Sequence, residues 1–170
     1  MNFRKSLTTV LVGLLVLLLL CGTPAIADDE TTTEAEVEVL PGEAGSYGIS
    51  VIESQRTLFP SSALGEPDGW GAFIFWNGWV SMELEGSVLN AHTISIWAAN
   101  SGWWPSNMKI YVSADGSEWT RVGGEKVVSA GFLRYDFSGS FGDVRYIKVS
   151  RSGRRWSFLR LDAVCTKGGD

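Results

Sequence analysis

The clearest strand pattern in the chain reads Met108-Lys109-Ile110-Tyr111-Val112-Ser113-Ala114-Asp115-Gly116-Ser117-Glu118-Trp119-Thr120-Arg121-Val122. Met108, Ile110 and Val112 alternate with other side chains, so they line one face of a half-buried strand. Asp115-Gly116 then supplies positive-φ residues for a tight turn, and a second strand follows over residues 119–122. The stretch predicts an antiparallel β-hairpin.

The same two-residue alternation recurs on both sides of this hairpin, whereas no helical stripe of useful length appears. The apolar sets are Val80, Met82 and Leu84; Ile94 and Ile96; Ile147 and Val149; and Leu159, Leu161, Ala163 and Cys165. In the last set Arg160 and Asp162 take the opposite face. Roughly eight strands at turn spacings near ten residues predict an all-β sandwich with two sheets face to face.

The N-terminal residues are typical of a signal peptide. Arg4 and Lys5 precede an apolar run over residues 10–20, and the small-residue site Ala25-Ile26-Ala27 follows. The run is about half of the roughly 20 residues that a bilayer-spanning helix needs. The pattern predicts a signal peptide over residues 1–27 and a secreted or cell-envelope protein. Lipidation at Cys21 is the minority alternative, because a leucine and not a small residue precedes it.

Charge divides the rest of the chain into two parts. Residues 28–45 contain seven acidic residues, no basic residue and no aromatic residue, which predicts an acidic flexible linker. Residues 46–170 contain 12 basic and 12 acidic residues and are predicted to form one domain. This balance gives no reason to expect a nucleic-acid partner.

The cysteines allow no disulfide within the secreted chain, because only Cys165 remains after cleavage. A buried thiol is the favoured interpretation of Cys165, with a reactive thiol or an intermolecular bridge as the alternative. A domain of this length can bury roughly 65–70% of the surface of its unfolded chain, so it does not need a disulfide.

Residues for the common hydrolytic mechanisms are scarce. His92 is the only histidine, and no nucleophile-elbow or zinc-protease motif accompanies it, so a structural or surface role is favoured. Glu83 and Glu85 share a strand face at about 7 Å, close to the spacing of a glycosidase pair. Glutamates that alternate opposite a core face are also what a solvated strand shows, and the sequence favours no catalytic residue.

Tryptophan is the unusual feature, with eight in the chain. Three clusters interrupt the alternating pattern, over residues 69–79, 100–105 and 151–156. Tryptophans beside Gly, Asn and Pro fit strand interiors poorly, so loop surfaces that bind sugar rings are one interpretation. For Trp70, Phe73, Phe75 and Trp79 packing at one end of the sandwich is favoured. The predicted ligand-binding residues are Trp76, Asn77, Trp103, Trp104, Arg151, Arg154, Arg155 and Trp156.

In its order of motifs the chain resembles the discoidin, or coagulation-factor type C, domains. The matching stretches are Ala63-Leu64-Gly65-Glu66-Pro67-Asp68-Gly69, Ile94-Ser95-Ile96-Trp97, residues 108–119, Arg145-Tyr146-Ile147-Lys148-Val149 and Leu161-Asp162-Ala163-Val164. The resemblance implies a galactose-binding-like jelly roll that binds carbohydrate, phospholipid or protein through loops at one end. The unpaired Cys165 departs from members that carry two terminal cysteines, which favours the microbial, carbohydrate-binding branch.

The resemblance also implies a structural calcium ion, and Asp68 and Asp162 are the matching positions. Carboxylate oxygens suit that ion. The alternative from the residues themselves is that Asp68 caps a turn and that Asp162 pairs with Arg160 on the surface.

Three functions follow from these residues. The first is a non-catalytic module that binds an extracellular glycan, with indoles for stacking and arginines for hydroxyls or an acidic sugar. The second is a peripheral module for an anionic membrane surface or a protein partner, with Trp103 and Trp104 as an interfacial anchor. The third, ranked last, is a glycan-degrading enzyme that uses Glu83 and Glu85.

Overall fold

Eight β-strands form the part of the chain that the computed structural model describes, residues 45–168. They are β1 (Ser46–Leu58), β2 (Ala72–Val88), β3 (Ala91–Gly102), β4 (Ser106–Ser113), β5 (Thr120–Val128), β6 (Leu133–Ser138), β7 (Val144–Gly153) and β8 (Ser157–Gly168). The predicted signal peptide and nearly all of the predicted linker lie outside the described residues. Within residues 45–168 no helix is long and apolar enough to cross a membrane.

The sheet folds into two layers because β2 changes partners along its length. Residues 72–74 pair with β8, whereas residues 79–83 pair with β7. One layer therefore has the order β5-β4-β7-β2 and the other β6-β3-β8, and β1 runs along β2 and reaches both layers. All strand pairs are antiparallel. The structure is a jelly-roll β-sandwich, which confirms the predicted fold class.

The core lies between the two layers and contains the residues that the alternation placed inside. All members of the first three apolar sets and of the hairpin's first strand are at most 3% exposed: Val80, Met82, Leu84, Ile94, Ile96, Met108, Ile110, Val112, Ile147 and Val149. Burying each such side chain stabilises the fold by roughly 1.5–3 kcal/mol. The predicted strand phases are confirmed for these residues.

The hairpin from which the fold was predicted is present as β4 and β5. Its turn differs from the prediction, because residues 114–119 all lie between the two strands. Gly116 has the positive φ of 80°, but Asp115 does not. Instead the Asp115 carboxylate accepts hydrogen bonds from the amides of Ser117 and Glu118 at 2.8 and 3.0 Å. A side-chain cap therefore replaces the expected two-residue turn.

The prediction of which β8 side chains face the core is wrong beyond Leu161. Opposite β3, Trp97 pairs with Ala163 and Ala98 pairs with Leu161, so Asp162 is an extra residue in a β-bulge. The bulge reverses the alternation, and Val164 joins the core in place of Ala163 and Cys165. Cys165 is nevertheless buried, as predicted, at 2% exposure. It pairs with Tyr47 of β1, and a Cβ on Gly45 would overlap its sulfur.

Candidate ligand-binding site

Three segments meet at one end of the sandwich, and we call this surface the tryptophan end. They are the β3–β4 loop (residues 103–105), the β7–β8 loop (residues 154–156) and a bulge in β2 (residues 75–78). The Arg154 Cζ lies 4.2 Å from the Trp104 ring centroid, and the Arg155 Cζ lies 5.7 Å from that of Trp76. The structure thus brings together residues from all three predicted clusters.

The bulge in β2 directs Trp76 and Asn77 outward. Gln55 pairs with Trp79 and Thr57 with Ile74, so Arg56 alone faces four residues of β2. Asn77 has a φ of 54°, and a Cβ on Gly78 would lie 2.6 Å from the Arg56 carbonyl oxygen. The Asn-Gly pair therefore permits the tight local path that exposes the indole.

The two loops lie against each other at the ends of β3 and β8. Gly102 pairs with Ser157, and a Cβ on Gly102 would lie only 2.8 Å from the Ser157 Cα. Gly102 also has a φ of 141°, so a larger residue would be strained there. Asn100 Nδ2 donates a hydrogen bond of 3.1 Å to the Trp104 carbonyl oxygen. These contacts fix the β3–β4 loop beside the β7–β8 loop.

All four tryptophans of this end are exposed. The exposed fraction is 96% for Trp103, 75% for Trp156, 45% for Trp104 and 38% for Trp76. Single exposed apolar residues are common, but a group of large aromatic side chains on one surface is a feature of binding sites. Among residues 45–168 no cation or ring is stacked on Trp103 or Trp156. Their faces are open to a ligand.

Arg151 does not have the ligand-binding role that the sequence predicts for it. It is only 2% exposed, so it does not reach a ligand as a surface donor. Its Nε donates to Ser106 Oγ at 3.2 Å, and its Nη2 donates to Ser157 Oγ and to the Arg154 carbonyl oxygen. Burial lowers the pKa of its guanidinium, which still stays charged at neutral pH. Arg151 is a positioning residue beneath the two loops.

Arg56 belongs to this surface and was not predicted. Its Cζ lies 5.8 Å from the Trp76 ring centroid, and its Nη1 donates a hydrogen bond of 3.4 Å to the Trp76 carbonyl oxygen. Trp76 is thus flanked by Arg56 and Arg155. The sequence gives no sign of this contact, because Arg56 lies 20 residues before Trp76 and outside every aromatic cluster.

Asp68 and Asp162, the predicted calcium ligands, lie together at a separate turn. Asp162 Oδ1 and Oδ2 accept hydrogen bonds from the amides of Asp68 and Gly69 at 3.3 and 3.1 Å. Asp68 Oδ1 accepts one of 2.8 Å from the Trp70 amide. Burial raises the pKa of Asp162, and the Asp68 carboxyl raises it further. Asp68 is therefore a turn cap, whereas Arg160 donates to the Gly69 carbonyl oxygen and not to Asp162.

The two carboxylates are the kind of oxygen ligand that calcium prefers, but they supply only a small part of its coordination shell. Calcium takes six to eight oxygens, and each carboxylate oxygen has a second lone pair beyond its amide bond. Residues 45–168 contain no group of three or more acidic, histidine or cysteine side chains suited to a metal. Backbone carbonyls or water molecules would have to supply the remaining ligands, so the calcium site stays a prediction.

The aromatic residues Trp70, Phe73, Phe75 and Trp79 do not form the predicted plug at the end of the sandwich. Trp70 is 75% exposed. Phe73 and Phe75 are half-buried, against Arg160 and Phe158 respectively. Trp79 packs on the outer face of the first layer, where the Lys148 ammonium lies 5.1 Å from its ring centroid and 3.9 Å from that of Trp119. Because Lys148 occupies these two indoles, they offer less open stacking surface than Trp103 and Trp156.

Glu83 is held by protein contacts, and His92 has a local partner. Glu83 Oε1 accepts hydrogen bonds of 2.7 and 3.0 Å from the Arg145 guanidinium, and Oε2 accepts one of 3.3 Å from Ser50 Oγ. His92 is exposed, and its Nδ1 lies 2.9 Å from Thr93 Oγ1. The ion pair with Arg145 gives Glu83 a surface structural role.

Comparison with solved structures finds a similar fold in two proteins that contain carbohydrate-binding modules. A pectin-binding carbohydrate-binding module superposes with a TM-score of 0.52 at 14% identity, over 74% of this chain and 94% of the module. Truncated AlyQ, with a family 32 carbohydrate-binding module and an alginate lyase domain, gives 0.54 at 13% identity, over 76% of this chain and 35% of AlyQ. No family model matches the sequence, and no curated protein matches it.

At these identities the comparison shows the fold. The shared architecture is a jelly-roll β-sandwich, which confirms the fold that the resemblance implied. Membership of the discoidin family stays a prediction. This chain spans about a third of truncated AlyQ, 35% of its length, so the lyase of that protein is not evidence of a lyase here.

Proposed function

We propose that this chain is a secreted or cell-surface, non-catalytic module that binds an extracellular carbohydrate at the tryptophan end. The observation that carries the proposal is the grouping of four exposed tryptophans with Arg56, Arg154 and Arg155 on one surface. A pyranose ring presents C–H groups on its faces and hydroxyls at its rim. Indoles match the faces, and guanidinium groups donate to the rim.

The energetics favour a ligand on this surface. Large aromatic side chains are costly to leave in water, and Trp103 is almost completely exposed. The contacts of Asn100, Gly102 and Arg151 hold the backbone of both loops in place. A site that is already ordered loses less conformational entropy on binding. The fold shared with a pectin-binding module supports the same function.

The test is a glycan array probed with residues 45–170, followed by titration of each hit with two matched variants. Trp156 and Trp70 are each 75% exposed, but only Trp156 lies at the tryptophan end. Trp70 lies in the Asp68–Asp162 turn, about 20 Å before Trp76 along extended chain. We expect Trp156→Ala to weaken binding by about tenfold or more and Trp70→Ala to leave it unchanged.

Two results would contradict the proposal. Equal losses in both variants would place the ligand elsewhere or show a general effect of lost tryptophan. An empty array would remove carbohydrate as the ligand. Circular dichroism spectra of both variants control for folding, and we expect them to match the parent because both side chains are exposed.

A membrane surface is the second candidate, and two observations favour it: Trp103 is almost completely exposed, and Arg154 lies over the neighbouring Trp104. Indoles partition into the headgroup region, and guanidinium groups attract anionic lipids. Co-sedimentation with vesicles of phosphatidylcholine and phosphatidylserine tests this function. Binding that sugars do not displace would support the membrane over the glycan.

We also propose that calcium, when bound, is held between the Asp68 and Asp162 carboxylates. Its role there would be structural, since the ion would offset two carboxyl groups that lie close together. The tryptophan end contains neither carboxylate, so glycan contacts do not depend on the ion.

A further inference from the structure

We propose that the glycan bound at the tryptophan end is a polyanion, with oxyanions that are uronate carboxylates or sulfate esters. This inference rests on the proposed function and names its ligand class. It follows from the way the arginines of this surface are held, from the distribution of acidic residues, and from the buried cation beneath the loops.

The arginines of the tryptophan end lack acidic partners, whereas three other cations of the domain are paired with a carboxylate. Arg134 pairs with Asp136 at 2.8 Å, Arg145 with Glu83 at 2.7 Å and Lys109 with Glu125 at 2.8 Å. Within the described residues, Arg56, Arg154 and Arg155 take part in no ion pair. They lie over aromatic rings and are exposed. Their charges remain available to an anion from outside.

The segments that form this surface contain no acidic residue, and Glu125, which contacts Asn107 at its edge, is paired with Lys109. Residues 45–168 carry 12 basic and 11 acidic side chains, which is close to balance. The bulge and the two loops together contain no aspartate or glutamate, but they contain Arg154 and Arg155, and Arg56 faces the bulge. A local excess of cations on a nearly neutral domain is a field that attracts anionic ligands.

Arg151 strengthens this field from below. Its guanidinium is buried, its hydrogen-bond acceptors are uncharged, and its Nη1 has no hydrogen-bond partner in the protein. An unpaired buried cation is costly, and an anion bound on the loops above it would reduce that cost. The same loops carry Arg154 and Arg155, so one ligand would contact two exposed guanidinium groups and lie above a third that is buried.

The geometry suits repeated anionic sugars better than one isolated anion. Arg154 and Arg155 are consecutive residues, but they contact different indoles, Trp104 and Trp76. Trp103 and Trp156 add open faces next to these cations. Each sugar of an acidic polysaccharide offers a C–H face and an oxyanion, and guanidinium groups bind carboxylate and sulfate with two parallel hydrogen bonds.

The experiment compares two matched polymer pairs by calorimetric titration. The pairs are polygalacturonate with its carboxyl-reduced form, and dextran sulfate with dextran. We expect the charged member of at least one pair to bind about tenfold or more tightly at about 20 mM salt, and that preference to fall as salt rises. A preference in the first pair identifies carboxylate, and one in the second identifies sulfate.

Arg154→Gln and Arg134→Gln provide the matched variants. Both arginines lie over a tryptophan, at 4.2 and 5.4 Å, and both substitutions remove one positive charge. Only Arg134 has an acidic partner. We expect Arg154→Gln to reduce the preference for the charged polymer at least threefold and Arg134→Gln to preserve it. Equal effects of the two variants would show a general charge effect and overturn the inference.

Failure of the inference and failure of the proposed function give different results. Equal binding of neutral and charged polymers, with loss in Trp156→Ala, would overturn the polyanion and leave the carbohydrate site in place. Binding only to vesicles that contain phosphatidylserine would overturn both proposals.

Discussion

Arg151 and Arg154 are three residues apart and have opposite environments. Arg151 is buried under the loops, whereas Arg154 is exposed on Trp104. The alternation that places Ile147 and Val149 inside, extended by two residues, also places Arg151 inside. The sequence therefore contained the signal for its burial, but basic residues are seldom buried, and the run of arginines suggested a single surface patch.

Replacing Arg151 should affect both stability and binding. Arg151→Met keeps much of the side-chain length but removes the donors to Ser106, Ser157 and the Arg154 carbonyl oxygen. We expect a loss of about 1–3 kcal/mol in the free energy of unfolding, measured by urea denaturation. Glycan affinity should fall as well, because the β7–β8 loop loses its anchor. Unchanged stability would contradict the positioning role.

Asp115 should make the stability of the domain depend on acidic pH. The Ser117 hydroxyl, the amides of Glu118 and Ser117, and the Ser113 hydroxyl hold the pKa of this carboxyl well below its usual range. A carboxylate with a lowered folded-state pKa stabilises the fold above its unfolded pKa, near 3.8, and this contribution is lost as the pH falls further.

Melting curves between about pH 2 and pH 7 test that linkage. We expect Asp115→Asn to lower the melting temperature at pH 7, and the difference from the parent to narrow steadily below about pH 4. Glu118→Gln removes the same charge from the same loop and serves as the control. Parallel curves for Asp115→Asn and the parent would show that Asp115 is not responsible.

At the level of strands, sequence alternation predicts the buried faces of β2, β3, β4 and β7, names no such face in β1 or β6, and fails at the bulges. It placed Val80, Met82 and Leu84 correctly, because each strand is long enough for one face to be buried. At Asp162 one inserted residue reverses the phase, and Cys165 is buried under Gly45 and Tyr47 and not in the main core. A bulge depends on the partner strand, so one strand's own sequence does not reveal it.

The bulge at Asp162 should be a stability determinant of the β1–β2 connection. Asp162→Ala leaves the amides of Asp68 and Gly69 without their acceptor, and we expect a loss of about 1–3 kcal/mol in the free energy of unfolding. Asp143→Ala removes a carboxylate with one weaker amide contact, 3.4 Å to Asn90, and serves as the control.

The same two variants test the proposed calcium site by thermal denaturation. We expect millimolar calcium to raise the melting temperature of the parent and of Asp143→Ala, relative to EDTA, but not that of Asp162→Ala. An equal melting temperature of the parent in calcium and EDTA would remove the structural ion from the proposal. That result would not change the loss of stability expected for Asp162→Ala, which comes from the missing hydrogen-bond acceptor.

At the scale of the whole molecule, local sequence patterns predict the fold but do not predict where the site lies. Trp104 lies 28 residues after Trp76 in the chain, and Arg155 lies 51 residues after Trp104. Each cluster was recognised separately, because tryptophan next to glycine and asparagine interrupts the alternation. Their meeting at one end depends on the β3–β8 and β4–β7 registers, which place Gly102 opposite Ser157 and Ser106 opposite Gly153.

Charge is also a property of the whole molecule, and it gives the last prediction. Residues 28–44 carry seven acidic residues and no basic one, while the domain that follows is nearly neutral. A segment with seven acidic residues and no basic one adds negative charge to the protein, and at low salt this charge repels an anionic polymer. The chain that begins at Asp28 should therefore bind polygalacturonate more weakly than the chain that begins at Gly45.

The difference should depend steeply on salt. We expect the shorter chain to bind roughly three- to tenfold more tightly at about 0.01 M salt, where screening extends over about 30 Å, and equally at about 1 M, where it extends over about 3 Å. Replacing the seven acidic residues by their amides in the longer chain should restore the affinity of the shorter one. Equal affinities at low salt would show that the acidic segment does not affect the site, whereas a difference that persists at high salt would point to contact and not to charge.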